Sequence, residues 1–171
     1  MEHSTTQKIA YGGVIAALYI VLTLVANAFG LASGAIQVRL SEALTILPVF
    51  TAAAVPGLTV GCVLANLITG CAAWDVVFGS LATLIGAMGT RMLREHPHLA
   101  WIPPVISNAA IVPIVLMKVY GVTELEVFGR TFGQNSIWLI LCITVGIGEV
   151  ISCGGLGLLL YHAAKRIPQL K

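Results

Sequence analysis

Charge is what this sequence has least of. Nine Lys and Arg and seven Asp and Glu make up 9% of its 171 residues, against about 25% in a soluble domain. Apolar residues make up 58%. Such a chain cannot solvate its own surface in water, so an integral membrane protein is expected. No polar stretch is long enough to fold alone, which excludes an aqueous domain. The net charge of +2 comes from basic residues scattered at the ends of apolar runs. It offers no patch for nucleic acid.

Motifs are missing too. The dipeptide Gly-Lys does not occur, so there is no Walker A loop and no ATPase of the chain's own. Neither H-E-x-x-H nor G-x-S-x-G appears, and no catalytic group or cofactor is expected. Cys62, Cys71, Cys142 and Cys153 have no metal-site spacing and read as buried apolar thiols. His96 and His98 flank Pro97 and are not a convincing ligand pair. No internal repeat is visible, which disfavours an inverted-repeat transporter within one chain.

What is present is a series of apolar segments, near 8–29, 41–54, 57–72, 75–93, 103–120 and 136–162. They predict one domain over 1–171, all-α, with six transmembrane helices. The first run is too long for a signal-peptide h-region, despite Ala26-Asn27-Ala28, and reads as a span. Gly30, Ser33 and Gly34 break the chain after it. Pro56 is expected at the first position of the third segment, and Asp75 as the cap of the fourth. With a cytoplasmic N-terminus, Lys8, Arg91, Arg94, Lys165, Arg166 and Lys171 lie inside. Arg39, Lys118 and Arg130 lie outside. Six against three obeys the positive-inside rule and puts both termini in the cytoplasm.

A few polar residues interrupt the apolar runs. Segment 41–54, broken by Pro48, is too short to cross a bilayer easily. With Arg39 and Glu42 at its start it looks like the wall of a binding site; the same two residues also read as an interfacial ion pair. Glu149 lies deep in the last span, where a carboxylate must be paired, protonated or facing a polar cavity. Gly146, Glu149, Ser152 and Cys153 share a helical face, a narrow polar seam that favours ligand recognition. Asn66 and Asn108 fall at compatible depths, as helix–helix hydrogen bonds or as ligand contacts. Pro113 frees a backbone carbonyl beside Asn108. Trp74 and Trp101 read as interfacial anchors or, for Trp74, as a stacking surface. Gly12/Ala16 and Gly13/Ala17 form two small-xxx-small pairs, for internal packing or for docking another subunit.

Several blocks resemble the QueT family: Val38-Arg39-Leu40-Ser41-Glu42-Ala43-Leu44-Thr45, Leu64-Ala65-Asn66, Asp75-Val76-Val77-Phe78-Gly79, Ser107-Asn108 and Gly146-Ile147-Gly148-Glu149. The likeness covers nearly the whole chain. It implies a substrate-binding S component of an energy-coupling factor (ECF) importer in the bacterial plasma membrane, capturing a 7-deazaguanine queuosine precursor (preQ1, preQ0 or queuine) on the outer side. The implied partners are a transmembrane T protein, docked on Gly12, Gly13, Ala16 and Ala17, and two ATPase subunits that use the ATP. The implied ligand fits the polar residues. Glu149 would accept the adjacent N1–H and N2–H of the ring, and Asn108 and Asn66 would meet its other edge atoms. Asp75 or Glu42 would pair with the preQ1 ammonium, Trp74 would stack, and Arg39 would hold a lid through Glu42. The rival readings are an S component for another vitamin-like ring, a self-contained facilitator, and a structural membrane subunit.

Overall fold

The structure is a computed structural model, and it describes residues 4–31, 36–133 and 135–166. The expected inside residue Lys171 and the loop breakers Ser33 and Gly34 lie outside them. Helix α1 spans Thr5–Ala28 and is followed by a 3-10 helix, Leu40–Val49. Then come α2 (Ala54–Ile68), α3 (Ala73–Met92) and α4 (Ile102–Lys118). A two-stranded antiparallel hairpin follows, β1 (Leu125–Val127) with β2 (Arg130–Phe132). The last helical stretch is α5 (Ile137–Glu149), a π-helical segment (Val150–Leu156) and α6 (Gly157–Ala164).

The protein is a helical membrane protein. Three helical stretches, Thr5–Ala28, Ala73–Met92 and Ile137–Ala164, are long and apolar enough to cross a bilayer. The 3-10 helix, α2 and α4 are apolar but shorter. Large apolar side chains such as Val14, Ile106, Leu139 and Leu159 stand on the outside of the bundle, as a lipid-facing surface requires.

Helices α1 to α5 pack in sequence, each on the next, and the 3-10 helix fills the centre against α1, α3, α6 and the π segment. Ser4 caps α1 by accepting from Gln7 N at 3.3 Å, and Gln7 Oε1 accepts from Ser4 N at 2.9 Å. Small residues bring α1 and α2 together. A Cβ on Gly57 would lie 2.7 Å from the Gly12 carbonyl oxygen, and one on Gly61 3.0 Å from the Ala16 Cα. So Gly12 and Ala16 serve internal packing, against a Gly-x-x-x-Gly of α2. Gly13 has open space above it and Ala17 is exposed.

Several expectations need correction. Segment 41–54 forms a 3-10 helix ending at Val49 with Pro48 inside it. Pro56 is the third residue of α2, since the helix starts at Ala54. Asp75 does not cap α3: the cap is Ala72, without a side-chain bond, and Asp75 sits in the first turn. The 121–135 connector contains the hairpin, whose two-residue turn has φ of 49° at Phe128 and 75° at Gly129, the left-handed pair that matches strand twist. Only Cys62 and Cys153 are buried, while Cys71 and Cys142 are half-buried. The buried thiols sit among polar groups: Thr83 donates to Cys62 Sγ, and Cys153 Sγ donates to the Glu149 carboxylate.

A polar cavity and a buried carboxylate pair

The segment just before the 3-10 helix is pinned against the last helical stretch. A Cβ on Gly148 would collide with the Gln37 carbonyl, so only glycine lets the two backbones touch. Arg39 N donates to Ser152 Oγ at 3.2 Å, and Ser152 Oγ donates to the Gly148 carbonyl at 2.9 Å. Arg39 then leads into the 3-10 helix, which turns Glu42 inward. Thr45 Oγ1 donates to the Glu42 carbonyl at 2.6 Å, fixing that turn, and Cys153 Sγ lies 3.5 Å from the same carbonyl.

Glu42 is wholly buried. The Tyr19 hydroxyl donates to its Oε1 at 2.5 Å, and its Oε2 has no hydrogen-bond partner. Glu42 is therefore not half of an interfacial pair with Arg39: it points into the core at Tyr19, where the Arg39 charge still acts on it. Glu149 is 3% exposed and ends α5, where the π segment begins. Glu149, Ser152 and Cys153, three and four residues apart, are all buried, and π turns recur at functional sites. Asn108, from α4, is 1% exposed, and neither its Oδ1 nor its Nδ2 has a hydrogen-bond partner. Its amide interacts with both carboxylates, and the Arg39 charge acts on both.

Next to this cluster lies a polar cavity of about 270 Å³. Its wall includes Tyr19 and Asn27 from α1, Gln37, Arg39 and Ser41 before and within the 3-10 helix, Asn66 from α2 and Thr69 just after it, Asp75 from α3, and Tyr120 after α4. Glu42, Asn108 and Glu149 are not in its lining; Tyr19, Arg39 and Ser41 stand nearest to them. At its other end the Tyr120 hydroxyl donates to Asp75 Oδ2 at 2.9 Å and accepts from Ala72 N at 3.2 Å. Burial, with Asp75 beside it, pushes this hydroxyl up to about 12, so it stays a neutral donor. A Cβ on Gly79 would lie 3.2 Å from Asn66 Nδ2 and 3.5 Å from Asp75 Oδ1; the glycine makes room for both side chains.

The candidates thus fall into groups. Arg39, Asn66 and Asp75 line the cavity, and Glu42, Asn108 and Glu149 form the buried cluster behind it. Trp74 belongs to neither: it is 62% exposed, and its ring stacks on Phe78 at 5.9 Å. Gly12, Gly13 and Ala16 line a separate apolar groove of about 540 Å³ between α1 and α2. Sequence reasoning missed Tyr19 and Tyr120. Tyr19 had a signal, since it continues the small-residue face of Gly12 and Ala16, and a buried Tyr hydroxyl needs a partner.

The family model described as QueT transporter matches residues 9–166. The chain is similar to the "Queuosine precursor transporter QueT" of Lactococcus lactis subsp. cremoris (strain MG1363), 34% identical over 86 residues. That match covers 50% of this chain and 50% of the relative, so the chain aligns with about half the length of the curated relative. No solved structure matches.

Proposed function

We propose that this chain, which belongs to the QueT transporter family, captures a queuosine precursor, a 7-deazaguanine such as preQ1, preQ0 or queuine, for uptake across the bacterial plasma membrane. The observation that carries this is Asn108: a buried amide without a hydrogen bond of ordinary length, interacting with two buried carboxylates beside a polar cavity. A buried polar group left unpaired costs about 1–3 kcal/mol, and a flat ligand with a polar edge removes that cost. The family and the relative's name support the choice of ligand.

In this reading the ring edge meets Glu149, whose carboxylate accepts the adjacent N1–H and N2–H in a bidentate manner. Asn108 meets the neighbouring ring atoms. Asp75, held by Tyr120, takes the preQ1 ammonium, and Asn66 lines the same end. Arg39 stands between cavity and cluster. Trp74 and Phe78 act as interfacial anchors.

The finer arrangement is also proposed. The helical stretches make six passes with both termini cytoplasmic, as the placement of Lys and Arg supports. The cavity then opens outward. The α1–α2 groove, with Gly13 and Ala17 exposed beside it, receives a transmembrane T protein, and two ATPase subunits supply the ATP. Six exposed small or apolar positions there, Ile9, Gly13, Ala17, Ala52, Pro56 and Val60, suit close helix approach.

The test is calorimetric titration of the purified chain in detergent with preQ1, preQ0, queuine and guanine, and riboflavin as control. Submicromolar binding of one deazaguanine without a riboflavin signal supports the reading. Silence for all four purines in folded protein overturns it.

A further inference from the structure

Glu42 has one oxygen held and one oxygen free. Tyr19 donates to Oε1, and Oε2 has no partner although the residue is wholly buried. A side-chain oxygen of Glu42, one of Glu149 and Cys153 Sγ lie within 4.8 Å of one another. Asn108, 1% exposed and unpartnered at both amide atoms, faces the two carboxylates. The buried acceptors without a partner are thus Glu42 Oε2 and Asn108 Oδ1, beside Glu149, which accepts from Cys153 Sγ. Asn108 Nδ2 adds donors.

The ligand edge that completes this set is rich in N–H. A cyclic guanidine edge, a ring N–H beside an exocyclic NH2, has three N–H groups on neighbouring nitrogens. One carboxylate takes two parallel N–H groups. The third, the outer N–H of the exocyclic amine, points away and needs a separate acceptor.

We infer that Glu42 is that acceptor: a second ring-reading carboxylate, positioned by the Tyr19 hydroxyl, that makes the site select rings bearing the exocyclic 2-amino group. This rests on the reading of Glu149 given above. It gives Glu42 a role in the ring edge, not in the ammonium or in a lid. Tyr19 is a positioning residue, fixing one oxygen so that the other stays directed at the ligand. The same carboxylates and Cys153 are also within reach of a divalent cation, but the Arg39 charge acting on both opposes one.

The test is a ligand-by-mutant cycle, titrated in detergent with and without EDTA. The ligands are 7-deazaguanine and 7-deazahypoxanthine, which differ by the 2-amino group. The wild-type chain should prefer 7-deazaguanine by about a hundredfold, since a site built to bond an N–H rejects the analogue lacking it. In Glu42→Gln, whose amide turns a donor toward the amine, the preference should fall at least about tenfold while 7-deazahypoxanthine affinity stays within about threefold. Tyr19→Phe should reduce the preference in the same direction, and it keeps the test alive if Glu42→Gln does not fold. A loss of affinity equal for both ligands in either variant overturns the inference, as does binding abolished by EDTA. A wild-type chain that binds both rings equally overturns the role of Glu42 and spares the function; one that binds no deazaguanine overturns the function as well.

Discussion

The Tyr19 hydroxyl donates to Glu42 Oε1 at 2.5 Å, joining α1 to the central 3-10 helix. Both side chains are nearly inaccessible. A carboxylate buried in a membrane bundle is expensive unless its oxygens are met, and only one of them is. The pair therefore satisfies one oxygen of Glu42 and leaves the other without a hydrogen bond. In the reading proposed above, ligand binding removes that cost.

Glu149→Gln should weaken 7-deazaguanine binding by more than tenfold, because a bidentate acceptor is replaced by a group with one acceptor and one donor. The helical content should not change. Titration with circular dichroism of the same sample checks both. Unchanged affinity removes Glu149 from the site.

Asn108→Leu should abolish binding and leave the empty protein as stable or more stable. The substitution removes two unpartnered buried polar atoms, worth about 1–3 kcal/mol each way, at similar volume. Thermal unfolding in detergent, without ligand, reads it. A fall in midpoint of about ten degrees would mark Asn108 as a structural tie.

Asp75→Asn should lower affinity for preQ1, which carries an ammonium, more than for preQ0, which does not. The Tyr120 hydroxyl that holds Asp75 has its value raised to about 12. The protonated donor is therefore fully present below about pH 10, the ordinary value, and is lost only as pH rises through about 12. Preference for preQ1 should not fall between about pH 6 and pH 9 on account of this group. Titrations at three pH values check it.

Two glycines one residue apart in α1 should behave differently. Gly12→Val presses on the α1–α2 contact, where the Gly12 Cβ would lie 3.3 Å from the Ala53 carbonyl, and should destabilise by about 1–3 kcal/mol. Gly13→Val meets nothing within 4 Å. It should keep stability and binding and, if the proposed T protein docks there, impair ATP-driven uptake with the proposed partner subunits. Liposome uptake with and without those subunits separates these cases, and transport by the chain alone would point to a facilitator.

Much of the site was legible because charge is so rare here. Glu149, Asn108, Asn66 and Arg39 stand out against apolar neighbours, and burial gives such residues few uses. Helix boundaries were legible to within a few residues from Pro, Gly and the apolar runs. The 3-10 form of Leu40–Val49 was not, since Pro48 and a short apolar run fit an α-helix equally well. The π segment has no residue signature beyond Gly154-Gly155; its extra residue is set by packing against the 3-10 helix and Trp101. The hairpin strands have three residues each, too few for alternation to register. Which group met Glu42 was decided by helix rotation, and no spacing in one chain gives that.

The measurement that tests the central claim most directly is an experimental structure of the chain with preQ1 bound. The expected result places the ring edge within hydrogen-bonding distance of Glu149, Asn108 and Glu42, with the ammonium at Asp75. Density for the ligand in the α1–α2 groove, or in the cavity without contact to Asn108 and Glu149, would contradict it.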